Sequence, residues 1–209
     1  MTALFAGQPA PGIAFDLDLT LIDTREATAF ALESVNASLG TAIDVDEFVR
    51  RLGPPIRAEL SRWVADELLA EAADQFRAAF VGTGLQFLEP LPGAAAALAE
   101  VAARGGKSIV ITSRRQHIAE AALRVCGLSA DLVVGGMTGT EKAPAMRQNA
   151  AGCYVGDHPL DMAGAAAAGV PGVGVLTGSH SEQDLRNAGA SLVLASLLDF
   201  RRLFDGPVR

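Results

Sequence analysis

Five short apolar runs recur along the chain: GIAF (12–15), SIVIT (108–112), DLVVG (131–135), CYVG (153–156) and VGVL (173–176). Each has the length and residue type of a buried strand. Between and beyond them lie Ala-rich stretches with apolar residues at helical spacing, GAAAALAEVAARG (93–105), RQHIAEAALRVCG (115–127), KAPAMRQNAA (142–151), PLDMAGAAAAG (159–169) and SEQDLRNAG (181–189). Each is followed by, or ends in, a Gly or short turn suited to a helix C-cap. Strands alternating with helices predict an α/β fold around a parallel sheet.

The alternation is interrupted once. Between the first and second runs lie residues 17 to 106, far more than the one crossover helix that a βαβ unit needs. Residues 24 to 85 read as all-helical, through TREATAFALESVNASLG (24–40), DVDEFVRRLG (44–53) and PIRAELSRWVADELLAEAADQFRAAFVG (55–82). Pro90 and Pro92 then break helix and return the chain to the sheet. The expected organisation is a core of residues 1–22 and 86–209 with a helical insertion over 23–85.

With half of its 209 residues hydrophobic and a fifth charged, the chain is expected to fold compactly. Its net charge of -7 and the lack of a basic block argue against nucleic acid as a partner. Cys126 and Cys153 read as buried thiols in a reducing cytoplasm rather than as a disulfide framework. The start, MTALFAGQPAPG, lacks the charge and apolar run of an export signal. AGAAAAGVPGVGVL (163–176), broken by Gly and Pro, is too short to span a membrane.

In an open parallel sheet, ligands bind beyond the carboxyl ends of the strands. Asp16, Asp18 and Thr20 follow the first run, Thr112 and Ser113 the second; Lys142 begins a helix, and Asp157 and Asp161 follow CYVG. Asp16 and Asp18, two apart, point the same way along an extended chain, which is costly without a cation, a shared proton or a reacting substrate. Four carboxylates against one lysine and two hydroxyls imply a hard, oxygen-seeking cation. Mg²⁺ suits the set, because it takes a few carboxylates and leaves room for a phosphate oxygen. One carboxylate can then attack phosphorus while its neighbour protonates the departing oxygen.

DLDLT (16–20), VITS (110–113), Lys142 and GDHPLD (156–161), in this order, resemble the four motifs of the haloacid dehalogenase (HAD) superfamily of phosphatases. The resemblance implies a Rossmann-like core with the insertion as a C1 cap, and it is greatest to the phosphoglycolate phosphatase-like subfamily. It implies that Asp16 is the nucleophile that becomes an aspartyl phosphate and Asp18 the general acid and base, with its backbone carbonyl on Mg²⁺. Thr20 would brace the first loop, Thr112 would bond phosphoryl oxygens, and Ser113 would offer its backbone N–H. Lys142 would neutralise charge between Asp16 and the phosphate; Asp157 would bind Mg²⁺ directly, with Asp161 beside it. The implied substrate is a small phosphorylated metabolite, with the oligomeric state left open.

The sequence departs from the pattern at Leu19, where the common motif has Gly, which implies a narrower site or an altered turn. Lys142 is followed by AP rather than PxP and lies closer to Asp157 than is usual. In the insertion, Arg50, Arg51, Arg57 and Arg62 surround RRLGPPIRAEL, which resembles the loop that closes over the leaving group. Arg51 and Arg57 are the substrate candidates there, with Arg114 in the core; the bland alternative is a solvated face paired with Glu59 and Asp66. His117, His158 and His180 lack metal spacing, and His158 reads as a solvated loop residue. Trp63 and Phe76 read as packing, and the tract Ala165–Ala168 as a close helix–sheet contact. VGGMTG (134–139) lacks the spacing of a phosphate cradle.

Neighbouring activities differ in specific residues. A dehalogenase lacks the second aspartate of the pair, so Asp18 argues against it. A phosphonatase needs a lysine in the insertion, whereas Lys107 and Lys142 are the only lysines. A phosphomutase of the β-phosphoglucomutase type remains an alternative, since it forms the same aspartyl phosphate. A binding domain that merely retains the fold is expected to show eroded motifs.

Overall fold

A computed structural model describes residues 3–6 and 10–205, so the reading of the first twelve residues falls partly outside them. Strand β1 (Gly12–Phe15) leads through the two-residue β2 (Ile22–Asp23) into four helices, α1 (Arg25–Leu39), α2 (Val45–Arg50), α3 (Ile56–Leu60) and α4 (Leu69–Gly82). β3 (Glu89–Pro90) pairs antiparallel with β2 and brings the chain back. Helices and strands then alternate through α5 (Ala94–Ala103), β4 (Ser108–Ile111), α6 (Gln116–Val125) and β5 (Leu132–Val134). The alternation continues through α7 (Ala143–Gln148), β6 (Ala151–Gly156), α8 (Pro159–Ala168), β7 (Gly172–Val175), α9 (Glu182–Asn187) and β8 (Ala190–Leu194), before α10 (Arg202–Asp205).

Six strands form one parallel sheet in the order β5-β4-β1-β6-β7-β8. Alternation divides its residues between two apolar layers. Ile13, Phe15, Val110, Val155 and Val173 share a cluster with Val101 of α5 and Ala122 of α6. Ala14, Ile109, Ile111 and Tyr154 face the other way, toward Met146 of α7 and Ala165 of α8. β1 lies centrally, paired with β4 and β6, so the residue after its last position emerges mid-sheet. No helix among the described residues is long and apolar enough to cross a membrane.

The structure corrects three expectations. The stretch 55–82 is not one helix but α3 and α4, joined by turns over residues 61–68. The buried positions step from Leu60 and Val64 to Leu69, Ala72, Phe76 and Phe80, a phase break that one straight helix cannot follow. Of the tract 165–168, only Ala165 is buried, and the closest approach belongs to Gly164, where a Cβ would lie 2.6 Å from the Gly139 carbonyl oxygen. Finally, β8 and the β2–β3 pair add strands where no apolar run was singled out.

Candidate active site

Asp16 follows β1 directly, with its N–H on the Val155 carbonyl at 2.8 Å. This bond ties the start of the DLDLT loop to the end of β6. Thr112 and Ser113 follow β4, Asp157 follows β6, and Asp161 occupies the first turn of α8. Lys142 closes a 3-10 turn, Gly139–Lys142, whose start is held by a capping box between Thr138 and Glu141. The Lys142 Nζ donates to Asp16 Oδ1 at 2.8 Å, to Asp161 Oδ1 at 2.7 Å and to the Tyr154 hydroxyl at 2.7 Å. Tyr154 in turn donates to the Ile111 carbonyl at 2.7 Å. The ammonium thus has three acceptors and is buried at the centre of the cluster.

Asp18 has its own cation. Arg114 reaches across the sheet edge, with Nε 2.7 and 2.9 Å from the two Asp18 oxygens and Nη2 2.5 Å from Oδ1. Its guanidinium lies 4.0 Å above the ring of Phe80, on α4. The two carboxylates of the pair therefore coexist because Lys142 holds one and Arg114 the other. From Leu17 to Ile22 the chain makes a tight turn, with Leu21 and Ile22 both donating to the Leu17 carbonyl. Leu19 keeps the left-handed conformation, φ 54°, at a cost of about 1–2 kcal/mol for a residue with a Cβ.

Among the described residues, Asp16, Asp18, Asp157 and Asp161 face only Lys142 and Arg114 as salt-bridge partners. Two negative charges remain, which one divalent cation would balance. Ligand oxygens of Asp16, Asp157 and Asp161 lie within 4.8 Å of one another, all three residues buried. Burial raises the Asp157 carboxyl well above its ordinary value, reinforced by Asp161 and Asp16, and among the described residues its one side-chain donor is the Thr20 hydroxyl at 3.3 Å. Burial also pushes Asp16 up to about 7 against the pull of Lys142. Burial works to lower Lys142, but Asp16 and Asp161 outweigh it and hold the ammonium above its ordinary value. Glycines make room here: a Cβ on Gly178 would fall 1.9 Å from Asp157 Oδ2, and one on Gly156 2.3 Å from Asp161 Oδ2. This donor set fits a hard divalent ion, with carboxylates that the protein alone leaves underbonded.

A cavity of about 180 Å³ opens above the cluster, between the strand ends and the helical insertion. That is about the room that holds a benzene-sized molecule. Asp16, Asp18, Ser113 and Arg114 line its floor, and Phe48 and Phe76 its apolar wall. Phe76 thus packs in the core and also faces the cavity. Arg51 and Arg57 reach it from the other side.

Glu59 is buried rather than on a solvated face; it accepts from Arg51 Nε at 2.6 Å, and Arg62 stands 3.6 Å away. Arg57 is exposed and makes no ion pair among the described residues. Thr20 is fully buried, so its hydroxyl braces Asp157 instead of lining the cavity. Thr112 is also fully buried, and its hydroxyl accepts the Arg114 N–H at 3.2 Å. His158 is not a solvated loop residue: it caps α8 through Nδ1, lines the cavity and meets the His180 ring edge-on at 4.4 Å. Burial and His180 lower its pKa to about 4. His117 is exposed.

Residues 13–175 match the family model described as haloacid dehalogenase-like hydrolase. The chain belongs to that family. A phosphoglycolate phosphatase of Caulobacter vibrioides is 31% identical over 208 residues, covering 90% of this chain and 87% of the relative. A 5'-nucleotidase of Pseudomonas aeruginosa is 30% identical over 213 residues, covering 93% and 96% respectively. Among solved structures, a haloacid dehalogenase-like hydrolase from Streptococcus pneumoniae superposes with a TM-score of 0.82 at 19% identity, over 92% of this chain and 97% of the other. As a haloacid dehalogenase-like hydrolase, the chain is an enzyme of the phosphatase type.

Several residues that shape this hydrolase's site escape sequence reasoning. Tyr154 was hidden inside an apolar run, although a phenol amid strand residues needs a buried partner. Arg114 drew notice as a substrate contact, while its pairing with Asp18 spans 96 residues of sequence. Gly178 carries no side chain, and only the approach of Asp157 marks it.

Proposed function

We propose that the chain is a cytoplasmic, Mg²⁺-dependent phosphatase that hydrolyses a small phosphomonoester through an aspartyl-phosphate intermediate. The observation that carries the reading is Asp16, a carboxylate at the cavity floor held by Lys142 beside two further buried aspartates. Asp16, Asp157 and the backbone carbonyl of Asp18 would hold Mg²⁺, with Asp161 beside it. Bound there, Mg²⁺ supplies the positive charge that lets a carboxylate and a phosphate dianion meet.

Asp16 attacks phosphorus, forming the acyl–phosphate bond as the ester P–O bond breaks, and Asp18, having taken up the proton of a phosphomonoester monoanion, passes it to the departing alkoxide. Asp18, now ionised, takes a proton from the water that attacks the phosphoenzyme, which frees Asp16 and releases phosphate. Lys142 neutralises Asp16 throughout. The Ser113 backbone N–H orients the phosphoryl oxygens; Thr112, fully buried, holds that loop by accepting the Arg114 N–H instead of reaching them, Thr20 keeps the metal-side carboxylate in place, and Arg114 aims Asp18. Helices α1 to α4 act as a cap over 23–85, with Arg51 and Arg57 reaching the leaving group; core residues 1–22 and 86–209 read the phosphoryl group. The cavity volume favours a leaving alcohol of few atoms.

The names of the relatives in Caulobacter vibrioides and Pseudomonas aeruginosa agree with phosphomonoester chemistry but not on one alcohol. The test is a panel of phosphomonoesters with and without Mg²⁺, phosphoglycolate and a nucleoside monophosphate included. Release of inorganic phosphate that requires Mg²⁺ is expected. Transfer of the phosphoryl group to a sugar, without net release, would instead make the protein a phosphomutase.

A further inference from the structure

We infer that Thr177, in the loop after β7, is a positioning residue that holds the Asp16–Asp18 loop in its left-handed turn. This rests on the reading of Asp16 and Asp18 as the reacting carboxylates. Leu19 sits at φ 54°, where a glycine would be unstrained and a leucine is not. Such a turn persists only if its surroundings restrain it. Inside the turn, the Leu19 N–H donates to the Ile22 carbonyl at 2.8 Å. From outside, the Thr177 hydroxyl donates to the Leu19 carbonyl at 2.5 Å, across 158 residues of sequence.

Thr177 is itself anchored. Arg25 donates through Nη2 to the Thr177 carbonyl and, through Nη1, to Asp23 at 2.7 Å. The next residue, Gly178, packs directly against Asp157, so the loop is seated on the carboxylate cluster as well. Leu19 is buried and lines the cavity beside Asp18. Relaxation of the turn would therefore carry Asp18 off the Arg114 fork. A hydrogen bond from a distant loop thus restrains a turn that a glycine would adopt without strain.

The relation makes Leu19→Gly a suppressor of Thr177 loss. Thr177→Val, Thr177→Ser, Leu19→Gly and the Leu19→Gly/Thr177→Val double variant would be made in the full chain. Two quantities are read: exchange of the residue-19 amide by NMR, and kcat and KM for p-nitrophenyl phosphate with Mg²⁺. Thr177→Val is expected to speed that exchange by about tenfold and lower kcat by a similar factor, with KM little changed. Thr177→Ser should stay within about twofold of the wild type, and the double variant within about threefold of Leu19→Gly. A Thr177→Val chain that folds only when Leu19 is also Gly is the same rescue. Unchanged exchange in Thr177→Val, or a double variant that exchanges as fast as Thr177→Val, overturns the inference. The exchange pattern without phosphomonoester turnover in any variant or the wild type would leave the tether standing and remove the phosphatase reading.

Discussion

Lys142 and Tyr154 meet 2.7 Å apart beneath Asp16, the ammonium donating and the phenol accepting. Both are buried, so the hydroxyl completes the coordination of a charge that water cannot reach. Tyr154→Phe should lower stability by about 1–2 kcal/mol, because it strips one acceptor from Lys142 and leaves the Ile111 carbonyl unpaired. Lys142→Met should cost about 3 kcal/mol or more, because Asp16 and Asp161 lose their shared cation. Urea unfolding of the metal-free proteins measures both; a Lys142→Met loss no larger than that of Tyr154→Phe would show that Asp16 and Asp161 do not depend on their shared cation.

Asp157→Ala should abolish stabilisation by Mg²⁺ more than it harms the fold. For the wild type at about a hundredfold excess of Mg²⁺ over its dissociation constant, the expected gain is about 2.7 kcal/mol. Thermal melts with and without Mg²⁺ give the comparison. A variant with the wild-type Mg²⁺ shift would move the ligand role elsewhere.

Asp16→Asn should reduce turnover by about a thousandfold or more while still binding substrate, since an amide of the same shape is a poor nucleophile. Asp18→Asn should let the first step proceed with a good leaving group and stall the second. Added phosphate mass should then accumulate on the peptide containing Asp16, and its appearance on another residue would reassign the nucleophile.

Replacing Arg51 and Arg57 together should lower kcat/KM for the natural substrate by about tenfold or more, and far less for a small artificial ester. Steady-state kinetics on the two substrates is the measurement. Equal losses on both would leave these arginines a role in folding alone.

Glu100 offers a pH test away from the site. Its hydrogen bond from Arg104, helped by Arg201, holds its carboxyl below the ordinary value of 4.5. The ionised form is thus favoured in the folded state, and this contribution is complete above that value and fades as pH falls through the lower folded one. Glu100→Gln should cost about 1 kcal/mol at pH 7, with the gap to the wild type closing as pH falls below 4.5 and through the lower folded value. Urea midpoints across that range will show the convergence.

The parallel sheet was legible because β1, β4, β6 and β7 are buried on both faces and so read as unbroken apolar runs. β8 carries the short apolar run Leu192–Leu194 and could have been read from it, whereas β2 and β3 span two residues each and leave no such run. The carboxylates were legible because they end strands. Their partners were less so: an arginine beside the second run does not announce a salt bridge to Asp18, and the partition of charge into Lys142–Asp16 and Arg114–Asp18 exists only once β1, β4 and the Lys142 turn stand side by side. The split between α3 and α4 could have been read from the phase of Val64 and Leu69, which the continuous helical composition conceals.

The pairing of β2 with β3 sets Ile22 opposite Pro90 and Asp23 opposite Glu89. The helical segment therefore leaves and re-enters the sheet unit through one doorway, its two ends side by side. A segment tethered in this way can be exchanged by remaking two neighbouring peptide junctions, with no strand of the large sheet reordered. The helical wall and the strand-end floor of the cavity are thereby open to change at different rates, one by replacement of a module and the other only residue by residue.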